Sequence, residues 1–324
     1  MKVIVTGGAG FIGSSTCACL AAAGIVPVTI DDLSTGHADN VRWGPHELVD
    51  LLNAASLSQV VRDHAPVAII HFAASAYVGE STVDPEKYFR NNVGGTLNLL
   101  STARMAGIRH VVFSSSCATY GIPDALPITE DTPQAPINPY GRTKLAGEWM
   151  LRDFALAYGL STVALRYFNA AGADVENGLF ERHDPETHLI PRVLMAAAGN
   201  IPAVEVFGTD YPTPDGTCIR DYIHVRDLAR AHVMALRFLL DGGGNVVLNL
   251  GTGRGTSVRD ILSAVERLSG LPVPVAFRAR RNGDPAELVA DPALARRVLG
   301  FEASQSDLDT IIRSASPGFG LALL

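Results

Sequence analysis

Cysteine is scarce in this chain, with four among 324 residues. Cys17 and Cys19 stand two apart in an apolar, helix-like stretch, where side chains point to different faces, and Cys117 and Cys218 are isolated. None has zinc-ligand spacing or a plausible bridging partner, which excludes a disulfide-stapled or zinc-built fold; no metal is expected. Positive charge is not in excess either. The 26 Lys and Arg against 33 Asp and Glu leave a formal net charge of −7, without the electrostatic footprint of a nucleic-acid binder or of a protein held on an anionic membrane. No apolar run reaches the roughly 20 residues of a membrane span, and the chain enters a strand pattern at Lys2 without the basic and apolar regions of a secretory leader. Internal repeats, low-complexity tracts and disordered linkers are missing too. These absences leave a soluble, cytoplasmic protein acting on a small molecule as the expectation.

What the chain does have is a large apolar share, 47%, with 18% charged residues, enough for one large α/β domain and a smaller partner. Its most telling segment is Gly7-Gly8-Ala9-Gly10-Phe11-Ile12-Gly13. Lys2 to Thr6 reads as a buried strand and Phe11 to Ala23 as an Ala-rich helix stopped by Gly24, so Gly7, Gly10 and Gly13 fall at a strand-to-helix turn. Missing Cβ atoms there let the backbone approach a pyrophosphate, and the helix N-terminus offers free N–H groups and partial positive charge. A second strand, Val26 to Ile30, ends in Asp31-Asp32, the expected place for a carboxylate on the adenosine ribose hydroxyls. A carboxylate repels a 2′-phosphate, which favours NAD over NADP, with Arg42 nearby as the opposing feature.

Apolar strands at Val67 to His71, His110 to Ser115 and Ser161 to Arg166 alternate with helical patterns at Asn53 to His64, Pro85 to Ala106 and Pro139 to Tyr158. The expected fold is a Rossmann-type, doubly wound parallel sheet with a smaller, discontinuous C-terminal α/β substrate domain. Residues 1–168 with about 226–250 would form the first unit, and about 169–225 with 251–324 the second. Ligands of such sheets bind outside the carboxyl ends of the strands, so Phe72-Ala73-Ala74, Ser114 to Ser116 and Tyr167-Phe168-Asn169 should meet at one crevice. Tyr140 and Lys144 stand one helical turn apart and face the same way. An ammonium beside a phenol favours phenolate, so Tyr140 could act as a base near neutral pH, with Ser116 opposite on the same substrate oxygen. A dinucleotide turn together with a proton carrier points to redox chemistry on a hydroxyl group, since hydride leaves carbon as its oxygen gives up a proton.

Taken together, Gly7 to Gly13, Asp31, Asp50-Leu51, Phe72 to Ala74, Val78 to Ser81, Asn92, Ser116 and the Tyr140/Lys144 pair resemble the extended short-chain dehydrogenase/reductase family. Five substrate-half segments, Arg166 to Gly172, His188 to Pro191, Phe207 to Gly216, Arg220 to Val225 and Arg281 to Ala286, resemble its members that epimerise UDP-hexoses at carbon 4. The resemblance runs to about Arg313 and implies Ser116, Tyr140 and Lys144 as catalytic residues, with NAD retained through a 4-keto intermediate. It extends the cofactor contacts to Phe11, Ile12, Asp32, Ser34, Thr35 and Gly36 along the first two turns. Asp50, Leu51, Asn92, Ser114 and Phe168 complete them from the neighbouring strands. For the UDP-sugar it implies Arg220 and Arg281 on the phosphates, Asn169 donating to a phosphate, Asp284 accepting from the uridine ribose, and Phe207 with Leu189 walling the uracil. His188 and Tyr222 join that set. A homodimer is the implied assembly.

Three departures stand out. Ala76 replaces a Lys that some relatives turn toward the cofactor, Leu288 replaces a Tyr that narrows the hexose pocket, and Ser314 to Leu324 replaces a helix rich in Trp and His. Other activities remain open at this level. A dehydratase needs an acidic residue just after the active-site serine, which Cys117-Ala118-Thr119 does not supply; a net oxidoreductase shares every catalytic residue; a dinucleotide sensor of the same fold typically lacks the Tyr/Lys pair.

Overall fold

The computed structural model describes residues 1–281 and 283–324, so Asn282 of the Arg281 to Ala286 segment lies outside the described residues. Strand β1 (Lys2–Thr6) is apolar and buried, as a central parallel strand covered on both faces must be. It leads through the glycine turn into α1 (Phe11–Ala22), then β2 (Val26–Ile30), the short β3 (His46–Glu47), α2 (Ala54–His64) and β4 (Ala68–His71). Short helices α3 (Val78–Val83) and α4 (Pro85–Tyr88) precede α5 (Gly95–Met105), β5 (His110–Ser116), α6 (Pro139–Tyr158) and β6 (Ser161–Tyr167). After β7 (Asn169–Ala171), α7 (Leu189–Ala197), β8 (Val204–Phe207), β9 (Ile219–Arg220) and β10 (Tyr222–His224), the chain returns through α8 (Val225–Leu240) to β11 (Val246–Leu250). It ends with β12 (Thr256–Ser257), α9 (Val258–Ser269), β13 (Val275–Arg278), β14 (Glu287–Leu288), α10 (Ala293–Leu299) and α11 (Leu308–Ala315).

The main sheet has seven strands in the order β11-β6-β5-β4-β1-β2-β3, all parallel. Strand order reverses between β1 and β4, which opens the crevice where this topology binds ligands. One face packs Val3, Val5, Val112 and Leu165 against Leu20 of α1 and Leu228, Leu236 and Leu239 of α8. The opposite face packs Ile4, Val28 and Ile69 against Leu57 and Val61 of α2 and Leu99 of α5, and Val111 and Phe113 against Leu151 of α6. A separate apolar cluster joins α7, β8, α9 and α11 through Val193, Leu194, Val206, Ile261, Val265, Ile311 and Ile312. Among the described residues no helix is long and apolar enough to cross a membrane.

One expectation needs correction. The Pro85 to Ala106 pattern is not one helix: α4 gives way to a π-helical stretch, Phe89–Gly94, before α5 begins. The extra residue per turn aims the buried Asn92 inward, where it takes the Ser75 amide (2.8 Å) and donates to the Ser75 carbonyl (3.0 Å) and Thr143 (3.0 Å). The divergent C-terminus is part of the fold. Leu321 is buried, the Leu324 amide donates to the Leu268 carbonyl at 2.8 Å, and Asn200 reaches the Phe319 carbonyl at 2.9 Å.

Candidate active site

The crevice begins at the glycine turn. Gly7 has φ +71°, and a Cβ there would stand 2.7 Å from the Ala73 amide nitrogen; one on Gly13 would stand 2.1 Å from the Gly7 carbonyl oxygen. Side chains are therefore barred from the floor of the turn. Helix α1 is capped by Gly10 with no side-chain hydrogen bond, so the N–H groups of its first turn, Phe11, Ile12 and Gly13, stay free for an anion. Asp31 closes the far side. Its buried carboxylate accepts from the Ala9 amide (3.0 Å) and the Leu33 amide (2.9 Å), one bond per oxygen, so each oxygen keeps a lone pair for a ribose hydroxyl. Burial pushes its pKa up against the pull of those two amides. Asp32 folds the following turn, taking the Ser34 amide (2.9 Å) and hydroxyl (2.7 Å), and Gly36 lies against the Asp31 carboxylate. Arg42, the feature that opposed NAD, is drawn away: it donates to the Asn177 carbonyl at 2.6 Å and stacks on Trp43. A cradle that tolerates no Cβ, an uncapped helix and a half-satisfied carboxylate fit a dinucleotide with a free ribose.

Other expected cofactor residues line the same strand ends. The Phe72 and Ala73 amides both donate to the Thr6 carbonyl, which carries Ala74 to the mouth of the crevice, and the Asp50 carboxylate takes the Leu52 amide at 2.8 Å beside buried Leu51. Phe168 is buried with Leu288 and Tyr120.

The proton-moving residues come from β5 and α6. Asn138 caps α6 by accepting from the Gly141 amide at 2.8 Å, Pro139 fills its first turn, and Gly159 ends it with φ +71°. A Cβ on Gly141 would sit 2.4 Å from the Ala118 carbonyl oxygen, so only glycine lets this helix end press against the turn after Ser116. That contact brings Tyr140 to Ser116. The buried Ser116 hydroxyl accepts from the Ala118 amide at 3.2 Å.

Lys144 faces the Tyr140 ring from the next turn of α6, and its own hydrogen bond runs to the backbone. Its buried ammonium donates to the Ser114 carbonyl at 2.8 Å and lies 5.8 Å from the centre of the Tyr140 ring, while burial pulls its pKa down to about 7. Burial, followed by the neighbouring Tyr167 phenol, pushes Tyr140 above its ordinary value, with the Ser116 hydroxyl pulling the other way. Loss of solvent outweighs the Ser116 hydrogen bond at the Tyr140 phenol.

On the opposite wall the substrate-half residues are closer to one another than expected. Parallel pairing of β9 with β14 sets Arg220 opposite Leu288, and Arg220 Nη2 meets Asp284 Oδ1 at 2.5 Å. The carboxylate expected on ribose is therefore engaged by the cation expected on phosphate, since strand pairing makes them neighbours. Arg281 lies over the Phe207 ring, 4.0 Å from its centre. The Asn169 backbone amide donates to the Asp221 carbonyl, Tyr222 is buried, and Leu189 opens α7 next to His188, the residue before its first turn.

His188 Nδ1 lies 2.9 Å from both Glu181 and Glu186, and His183 lies 3.1 Å from Glu181. Among the described residues these four alone group their donor atoms tightly enough for a metal, within 4.8 Å, but as they stand they pair as ions.

Sequence reasoning missed the support beneath the serines. Glu148 of α6 pairs with Arg166 of β6 through two hydrogen bonds (2.9 and 2.6 Å), accepts from Ser115, and both side chains are buried. Arg166 continues to the Tyr120 hydroxyl (2.8 Å), which donates to Asn249 (2.7 Å). Asp221, fully buried, holds the loop after β11 through Thr252, Gly253 and Ala290. The sequence signal was Arg166 at the head of one of the resembling segments, with nothing to name Glu148 as its partner.

A model of the NAD dependent epimerase/dehydratase family matches residues 3–251. A UDP-glucose 4-epimerase of Rhizobium meliloti is 54% identical over 314 residues, covering 97% of this chain and 95% of its own length. The crystal structure of UDP-glucose 4-epimerase from Brucella ovis in complex with NAD has a TM-score of 0.98 at 62% identity, covering 100% of this chain and 99% of that one. That of UDP-glucose-4-epimerase from Stenotrophomonas maltophila, with bound NAD and formylated UDP-arabinopyranose, has a TM-score of 0.94 at 41% identity and covers 98% and 97%.

Proposed function

The chain belongs to the NAD dependent epimerase/dehydratase family, and from that premise we propose that it interconverts UDP-glucose and UDP-galactose by inverting carbon 4 of the hexose. The observation that carries this reading is the meeting of Tyr140 and Ser116 at the same strand ends as the glycine turn, in a chain similar over nearly its whole length to UDP-glucose 4-epimerases. The glycine turn and Asp31 would hold NAD, which would supply a reversible hydride acceptor, so that net oxidation would be zero.

Tyr140 is the base that takes the 4-hydroxyl proton, relayed by Ser116, and the same pair returns it after the keto sugar has turned. Lys144 fixes the Ser114 carbonyl and becomes the positive neighbour of the phenol when it carries its proton. Ligand charge entering the crevice must then bring the Tyr140 phenol down from its raised value. Arg220 and Arg281 hold the phosphates, with Asn169 beside them, and Phe207 and Leu189 flank the base. This UDP anchor keeps the intermediate in place while the hexose rotates, so remote binding energy serves the reacting centre.

At the position where a dehydratase needs an acidic residue this chain has Cys117, whose thiol burial pushes up. The proposed division of labour assigns 1–168 with about 226–250 to NAD and about 169–225 with 251–324 to the UDP-sugar, consistent with α8 and β11 joining the main sheet. A homodimer is supported by large apolar side chains exposed on neighbouring helices, Leu97 and Met105 on α5 and Trp149 and Leu156 on α6. The four unpaired cysteines suit the reducing cytoplasm.

Interconversion of the two UDP-hexoses by purified protein without added NAD is the test. Tyr140→Phe should lower turnover at least about 10²-fold while leaving UDP-sugar binding intact. Activity that needs a continuous supply of NAD and accumulates NADH points instead to a net oxidoreductase.

A further inference from the structure

The turn after β2 and the segment before α7 are far apart in sequence, yet they are tied together beside the glycine turn. On the first side, the His37 amide and Asn40 Nδ2 both donate to the Ala9 carbonyl, at 3.0 and 3.1 Å, so this loop moves with the cradle and with Asp31. On the second side, Arg182 reaches over with a bidentate pair to Asp39 (2.9 and 2.7 Å) and a third bond to the buried Asn40 Oδ1 (2.9 Å). His37 Nε2 returns a bond to the Arg182 carbonyl at 2.8 Å. The next residue, His183, sets its ring edge-on to Phe11, 6.5 Å between centres, at the uncapped start of α1, and to Tyr77 at 5.9 Å. The segment therefore bridges from the adenosine-side loop to the helix end that faces the anion.

We propose that this Arg182–Asp39–Asn40 clasp is a positioning device that holds the 181–183 segment across the dinucleotide site and sets how slowly the cofactor leaves. The inference rests on the NAD-retaining reading above. Arg182 and Asp39 are substantially exposed, and an exposed ion pair alone contributes little. Here four polar contacts close one ring, and a dinucleotide on the turn could leave past the segment only after they break together. The clasp touches no reacting atom, so it acts on retention and not on the chemical step.

The experiment loads natural protein, Arg182→Ala, Asp39→Ala and the charge-swapped pair Asp39→Arg with Arg182→Asp with NAD. Each is mixed with excess alcohol dehydrogenase and ethanol, which reduce any NAD that escapes and report it by absorbance at the NADH band. The expected result is release about two- to fivefold faster in the single variants, unchanged melting temperature, unchanged kcat at saturating NAD, and slow release regained in part by the swap, which restores the ion pair but not the bond to Asn40. Equal release rates in natural and single-variant protein overturn the clasp, as does fast release that the swap fails to slow. Failure of the functional reading looks different. Natural protein that binds NAD and lacks epimerase activity removes that reading while the release rates still decide the clasp; natural protein that binds no NAD overturns both.

Discussion

Replacing Glu148 by Ala removes the carboxylate that anchors the serine strand from below. Glu148 Oε1 accepts from Arg166 Nε at 2.9 Å and from Ser115, and Oε2 accepts from Arg166 Nη2 at 2.6 Å and Gln134 at 3.0 Å. The two charged side chains are 7% and 5% exposed, so water cannot take over when one partner goes. Arg166 would keep only the Tyr120 hydroxyl at 2.8 Å and the Glu130 carbonyl at 3.2 Å, two neutral acceptors for a full charge. Breaking a buried pair in this way costs about 3–5 kcal/mol. The two further bonds, from Ser115 and Gln134, place the expectation near the upper half of that range. Urea unfolding of natural protein and Glu148→Ala should show that loss as a lower midpoint with an unchanged slope. Adding Arg166→Met should restore part of the stability, because no buried charge is then left alone. A loss below about 1 kcal/mol, or a double variant worse than the single one, would refute the reasoning by showing that the pair is already solvated.

Three further outcomes are expected. Asp31→Ala removes an acceptor that makes charge-assisted bonds of about 1.5–3 kcal/mol, so NAD affinity should fall about 10- to 100-fold and the preference over NADP should shrink; an unchanged preference removes Asp31 from the ribose site. Leu288 packs with Phe168 and Tyr120, and as a smaller residue than Tyr it should allow measurable turnover of UDP-N-acetylglucosamine beside UDP-glucose, with Leu288→Tyr shifting the ratio toward UDP-glucose; an inert N-acetyl sugar or a constant ratio sinks the idea. Burial pulls His183 and His188 down, but the adjacent Glu181 and Glu186 carboxylates outweigh it and hold them at about 9 and about 10. Folded-state values above the unfolded one mean that this stabilisation is complete below about pH 6.5 and lost as pH rises through 9 and 10. Unfolding free energy should therefore drop between pH 7 and 10.5 by more in natural protein than in His188→Gln, and equal pH profiles would exclude the ion pairs as its source.

The sequence alone determined what depends on neighbours along the chain. Strand, glycine turn and helix at Lys2 to Ala22, the Asp31 that ends β2, and the shared face of Tyr140 and Lys144 all follow from periodicity, missing side chains and one helical turn. The alternation of strand and helix also fixed a doubly wound sheet and its crevice at the strand ends. Tertiary structure decided what depends on charge meeting charge across the fold. Nothing local says that Glu148 will find Arg166, that β9 beside β14 will turn Asp284 onto Arg220, or that Arg182 will reach Asp39. The same limit applies to Tyr140: a phenol's pKa depends on how much water surrounds it, and the fold buries this one beside Tyr167 and Ser116. The π-helical turn at Asn92 belongs here too, because the side chain it turns inward bonds Ser75 and Thr143, residues that no local pattern brings near.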